Sequence, residues 1–265
     1  MESHAKWWWA SALWVRLSGF LIAVASTLLG RAPALTSYSV ALLTLLAETA
    51  GYRSDWARSK AQGLRRRLDL LDSFGWAIPN AEYSDILASV PGYVHADALN
   101  RPTRGPYFAS AAQPGPVRAV ENVSESAWFS KHLSEEMGHL CAATIAVTGV
   151  SAIAALTAAI HSVGDAAAST SVARVVTSAL MLLLSLGVVR MMAGYYAFAH
   201  AAATAEAGAE RLLESGTPSE REALKLVCEY QVSRSASPLI PEWLWQWRRN
   251  ALNELWRSLR RRAGP

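Results

Sequence analysis

Between Met137 and Gly164 the chain runs for 28 residues without an Asp, Glu, Lys or Arg. Arg174 opens a second apolar run that reaches Ala205 with only Arg190 interrupting it. About 20 apolar residues at 1.5 Å rise cross a hydrocarbon core of roughly 30 Å, so the pair reads as a hairpin of two membrane-crossing helices.

The remainder alternates between membrane-like and water-like character. Charged residues make up 17% of the 265-residue chain, against about 25% for an ordinary soluble domain. Nearly all the acidic residues fall between Gly51 and Met137 or after Ala205, and each of those segments also carries ten Lys/Arg. The loop His161 to Thr170 has no basic residue and contains Asp165. Positive charge marks the cytoplasmic side, which places both polar segments, and both termini, in the cytoplasm. Cys141 and Cys228 are too few for a disulfide framework and suit a reducing compartment. Asn122-Val-Ser is a chance match to a glycosylation acceptor on that side.

The resulting fold class is an all-α integral membrane protein with four transmembrane helices in two hairpins. Residues 1–50 form the first hairpin, with spans of about 12–30 and 34–50 joined by an Arg31-Ala-Pro turn. Trp7, Trp8 and Trp9 form an interfacial anchor, which argues against a cleaved leader, and Arg16 sits about one turn inside, where it can snorkel to the headgroups. No Gly or Pro breaks the second span before Gly51, and Ala50, Ala57, Ala61, Leu64, Leu68 and Leu71 continue a helical seam beyond it. One long helix therefore carries this span into the cytoplasm.

Residues 51–137 comprise that cytoplasmic helix, a Pro-rich segment and a re-entry helix. Arg65, Arg66 and Arg67 lie on the flank of the seam. They read either as a solvated face, with Arg65 and Asp69 paired at i,i+4, or as an anion surface, because guanidinium forks match phosphate oxygens. From Gly75 to Val120, six prolines rule out a long helix. Trp76, Tyr83, Tyr93, Tyr107 and Phe108 are interleaved there with Arg101, Arg104 and Arg118, enough apolar surface to dock the segment. Aromatic faces beside guanidinium groups can also stack a nucleobase and hold its phosphate, which makes Tyr107 a candidate contact. Asn122 to Glu136 reads as the re-entry helix. His132, Glu135, Glu136 and His139 match no metal-binding spacing, so neither metal nor other cofactor is expected.

Residues 138–199 hold the second hairpin, with spans of about 140–160 and 175–197. Arg174 at the outer end and Arg190 in the inner half of the fourth span are candidate pore or gate residues, with Glu48 the expected charge partner of Arg190. The alternative for Arg190 is snorkelling. Residues 200–265 continue the fourth span into the cytoplasm as far as Ser215-Gly216, then form a helix from Pro218 to about Ser233 and a tail. In the tail, Trp245, Leu252, Trp256 and Leu259 make an apolar stripe opposite Arg248 and Arg249. Such a helix lies on an anionic membrane surface or packs across the cytoplasmic helices as a collar.

The stretches Trp56-Ala-Arg-Ser-Lys60-Ala-Gln-Gly-Leu-Arg-Arg-Arg67, Tyr107-Phe-Ala-Ser110, Glu125-Ser-Ala-Trp-Phe-Ser130, Glu229-Tyr-Gln231 and Pro238-Leu-Ile-Pro241-Glu-Trp resemble the SMODS-associating four-transmembrane effector family. The resemblance covers essentially the whole chain, and the membrane effector of the Hailong antiphage system is similar in design. It implies a bacterial inner-membrane effector that answers a nucleotide or oligonucleotide signal from a nucleotidyltransferase-like synthase in the same operon and disrupts the membrane. It brings no catalytic motif. Four spans per chain leave little room for a wide pore, so a homo-oligomeric channel is expected, with no duplex DNA among its partners. A non-channel membrane adaptor that docks a cytoplasmic protein is the competing expectation, and a membrane enzyme is disfavoured by the absence of a P-loop or nucleophile elbow.

Overall fold

A computed structural model of the chain describes residues 2–29, 33–90, 92, 107–161 and 166–262. The turn at Arg31, the loop around Asp165, and Tyr93, Arg101 and Arg104 lie outside those residues. Within them the protein is all-helical: α1 (Glu2–Leu29), α2 (Pro33–Phe74), α3 (Asn80–Ser89), α4 (Pro116–His161), α5 (Ala166–Ser185), α6 (Val188–Glu214), α7 (Glu220–Ala236) and α8 (Glu242–Arg262). The helices divide into two compact units, one of Glu2–Ala57 with Glu136–Tyr195 and one of Arg58–Glu135 with Tyr196–Pro265.

Local chemistry explains most boundaries. α2 runs unbroken through Gly51 for 42 residues, as the seam in the sequence requires. It stops at Gly75, whose φ of 73° is open to glycine and whose N–H donates to Leu71 O at 2.9 Å. α4 begins at Pro116, six residues before the expected start at Asn122, because a proline in the first turn has no N–H to leave unsatisfied. α7 opens on a capping box in which Ser219 and Glu222 satisfy each other's backbone N–H groups.

The fourth apolar run departs from expectation. It is not one helix over 175–197; α5 ends at Ser185 and α6 starts at Val188. Gly187, at φ 63°, turns the backbone between them. Apolar composition continues through the break, which is why hydropathy alone passes over it.

In the unit of Glu2–Ala57 with Glu136–Tyr195, α1 and the first part of α2 bury small residues, and Met137, Val176, Val188 and Tyr195 are buried in the rest of the unit. Ala5, Ala12, Ala47, Ala50 and Cys141 are buried, whereas Leu35, Tyr38, Leu42, Leu45, Val147, Val150 and Ile153 are exposed. Two helices, α1 and α4, contain segments long and apolar enough to cross a membrane. Only 11% of the apolar window in α1 and 6% of that in α4 is buried, unlike the core helix of a soluble protein.

The other unit has a conventional core. Val120, Val123, Ala127, Phe198, Ala202, Ala205, Leu226, Val227 and Tyr230 are buried together, with Leu70 and Phe74 of α2 packed against them. Ala202, Ala205 and Ala209 of α6 are fully or almost fully buried. Beside them, a Cβ added at Gly208 would lie 3.2 Å from Leu226 Cδ1, so α6 and α7 approach through small residues.

Candidate functional site

Successive helix residues point 100° apart, so three adjacent arginines cannot share one face. The structure separates them accordingly. Arg65 donates a hydrogen bond to the Tyr107 hydroxyl, and its guanidinium carbon lies 5.3 Å from the centre of the Tyr107 ring. Arg67 pairs with Glu82 of α3. Arg66 is exposed and makes no ion pair among the described residues. The structure therefore joins Arg65 to Tyr107, leaves Arg66 open to solvent, and commits Arg67 to a fixed contact.

Tyr107 is held in place by the segment that follows it. Ala109 N donates to Glu125 Oε2 at 2.9 Å, the Ser110 hydroxyl donates to Glu121, and Arg118 Nη1 donates to Ala112 O at 2.9 Å. Arg118 also binds both oxygens of Asp72, at 2.7 and 3.3 Å, while Asn122 Nδ2 donates to Asp72 Oδ2 at 2.7 Å. The hydrogen bond to Asp72, reinforced by its charge, holds the Arg118 guanidinium above its ordinary pKa. Sequence reading identified Arg118 as one of the interleaved arginines but missed this pairing, because Asp72 and Arg118 are 46 positions apart.

One turn along α2, Asp69 faces Arg234 of α7 at 3.8 Å. Burial raises the Asp69 pKa, and Arg234, Arg65 and Gln231 only partly oppose the effect. Arg58 Nη2 and Gln62 Nε2 both donate to Ser235 O at 3.3 Å. Thus Arg65 lies between a half-buried carboxylate and an exposed tyrosine. A phosphate brought to its guanidinium would compete with the Tyr107 hydroxyl for the same donors.

The charged residues expected at membrane depth are arranged differently from expectation. Glu48 pairs with Arg16 at 2.7 Å rather than with Arg190. Arg16 and Glu48 meet across the antiparallel α1–α2 pair, whose register is also fixed by the Ser54 hydroxyl donating to Ala5 O at 2.8 Å. Arg174 and Arg190 are exposed and have no ion pair among the described residues.

In α8, Trp256 lies 5.2 Å from Trp128 and 6.0 Å from Phe129, and Trp245 lies 6.0 Å from Phe129, centre to centre. The stripe expected to meet either a membrane or the neighbouring helices is packed on α4 as a collar. Arg249 is exposed, while the Arg248 guanidinium lies 5.5 Å from the Trp247 ring. Trp243 and Trp247, which the sequence analysis did not single out, are 54% and 68% exposed. Their i,i+4 spacing was the available signal.

Nearby, the hydroxyls of Ser126 and Ser130 lie 3.0 and 2.9 Å from the Tyr230 hydroxyl. This fixes α7 against α4 and engages Ser130 in packing. No protein-family profile, characterised protein or solved structure matches the chain.

Proposed function

We propose that this protein is a four-span, homo-oligomeric membrane effector of a bacterial antiphage system, forming a pore whose opening is controlled by a nucleotide or oligonucleotide signal. The single observation that carries the reading is the inverted packing of the unit Glu2–Ala57 with Glu136–Tyr195, whose large apolar side chains face outward along α1, α2 and α4. Such a surface is soluble in lipid and costly in water. The spans are α1, the first part of α2 to about Ala50, residues 140–160 of α4, and the run of α5 and α6 interrupted at Gly187. On this reading the protein resides in the inner membrane with both termini in the cytoplasm.

The signal is assigned to Arg65, Arg66 and Tyr107, which combine an aromatic face, a guanidinium in contact with it and a solvent-exposed cation. The resemblance to the four-transmembrane effector family supplies the signal class and the synthase partner. The ligand acts by its differential affinity for closed and open states. No catalytic residue is proposed.

Purified protein reconstituted into dye-loaded liposomes tests the reading. Flux that changes on adding the product of the neighbouring synthase, and is insensitive to that product in Arg65→Ala and Arg66→Ala, is the expected result. Absence of flux under every nucleotide condition would overturn the channel.

A membrane adaptor is the second reading, favoured specifically by the outward Trp243 and Trp247 of α8. It predicts toxicity that survives loss of flux and disappears on deleting residues 243–262.

A further inference from the structure

A cleft of about 380 Å³ lies between α1, α2 and the Gly187 turn, where Leu186 and Met191 form an apolar third wall. Helices α1 and α2 run antiparallel there: Ser54 Oγ donates to Ala5 O at 2.8 Å, and Arg16 meets Glu48 at 2.7 Å. From α1 the cleft is lined by Trp9, Ala12, Leu13 and Arg16; from α2, by Glu48, Gly51, Tyr52 and Asp55. Both sets follow the i, i+3, i+4, i+7 spacing of a single helix face. Each stripe has one small residue at its middle, Ala12 on α1 and Gly51 on α2, which leaves room there beside Leu13 and Tyr52. A Cβ added at Gly51 meets nothing within 4 Å, and Ala12 stands on the facing stripe.

The lining charges are one cation, Arg16, and two carboxylates, Glu48 and Asp55. Arg16 and Glu48 offset each other, whereas Asp55 is exposed and has no ion pair among the described residues. A bare anion meets excess negative charge in such a cleft, and a bare cation leaves the remaining guanidinium donors unused. A zwitterion with a phosphate and an ammonium uses both.

The order of the groups along the hairpin gives the direction. Asp55 lies two helical turns, roughly 10.5 Å, from Glu48 toward the open end of the hairpin. Trp9 and Tyr52 have the amphipathic rings that favour a membrane–water interface. Farther from the open end, Leu42 and Leu45 of α2 are exposed. Amine, phosphate and acyl chain occur in that same sequence in a phospholipid.

We propose that the cleft binds the headgroup of an aminophospholipid, with the primary ammonium at Asp55 and the phosphate at Arg16. The assignment rests on the membrane reading given above. A primary ammonium offers three N–H donors to a carboxylate and a quaternary choline offers none, so phosphatidylethanolamine is favoured over phosphatidylcholine.

The test equilibrates the delipidated full chain with equimolar phosphatidylethanolamine and phosphatidylcholine of identical acyl chains, then counts bound lipids by native mass spectrometry. The expected excess of ethanolamine lipid is about tenfold, the size of one charged hydrogen-bond contact. Asp55→Asn should bring it near parity, as should Gly51→Leu, which fills the hollow. Circular dichroism should show unchanged helicity in both variants. Parity in the wild type, or an undiminished preference in both variants, overturns the proposal. Displacement of the lipid by ethanolamine phosphate at a concentration no higher than the lipid's assigns the site to a soluble amine and also overturns it. Recovery of the chain from the soluble fraction defeats the membrane reading itself, whereas membrane recovery with lipid parity defeats only this inference.

Discussion

Along α2 the rule for what is buried reverses. In the unit containing Pro33–Ala57, Ala47 is fully buried while Leu45 is 67% exposed. In the unit containing Arg58–Phe74, Leu70 and Phe74 pack against a core of Phe198, Leu226 and Tyr230. α4 repeats the pattern, with Val123 and Trp128 buried early and Val147, Val150 and Ile153 exposed later. In water, burying large side chains supplies about 1.5–3 kcal/mol each, and the second unit follows that drive. In lipid the drive between helices vanishes and close approach through small residues replaces it. On the membrane reading proposed above, α2 carries two packing codes, each read by its own unit.

The widest difference should appear on truncating large residues. Phe198→Ala should destabilise its unit by about 3–5 kcal/mol, whereas Leu45→Ala should stay within about 0.5 kcal/mol in mild detergent. Chemical denaturation, with hydrogen exchange in α6 and α2 reporting each site, measures both. Equal losses would break the comparison.

Enlarging a small residue should reverse the ranking. Ala47→Leu forces a branched side chain into a fully buried position of the alanine-lined unit and should cost about 1–3 kcal/mol. Tolerance of that change, read as an unaltered thermal midpoint, would show that the alanines are not in close contact.

A smaller effect should be confined to the phenylalanine-cored unit. Ser219→Ala removes the α7 cap at a cost of about 1 kcal/mol. Hydrogen bonds from Ser219 hold the Glu222 carboxylate below the ordinary glutamate range. That contribution is present above the ordinary glutamate value and lost as pH falls through the lower folded value. The variant should therefore lose part of the acid-side decline in stability. An unchanged pH profile in α7 hydrogen exchange would exclude this role.

Much of the helical order was legible because it rests on local signals. Gly75 and Ser215-Gly216 end helices, and the absence of any stop at Gly51 lets α2 continue. The proline-rich segment could hold only a short helix, and α3 is ten residues long. The break at Gly187 was hidden because an isolated glycine in an apolar run carries no fixed conformational meaning. At the candidate site, Tyr107 and the arginines were visible as residue types. The division of labour among Arg65, Arg66 and Arg67 was not, because it depends on Tyr107 and Glu82, which are far apart in sequence. The partner of Glu48 was missed for a related reason, since the antiparallel register of α1 and α2 decides it.

The turn at Gly187 also bears on hydration. Val188 begins a new helix, so backbone amides at its start and carbonyls before the break lack the uninterrupted ladder of a single span. Leu186 N donates to Leu182 O at 2.9 Å and Met191 N to Gly187 O at 2.8 Å, which reconnects part of the ladder on either side. Any group left between them must find a polar companion in an otherwise oily run. Should that run cross lipid, the break is where water has the strongest reason to enter it.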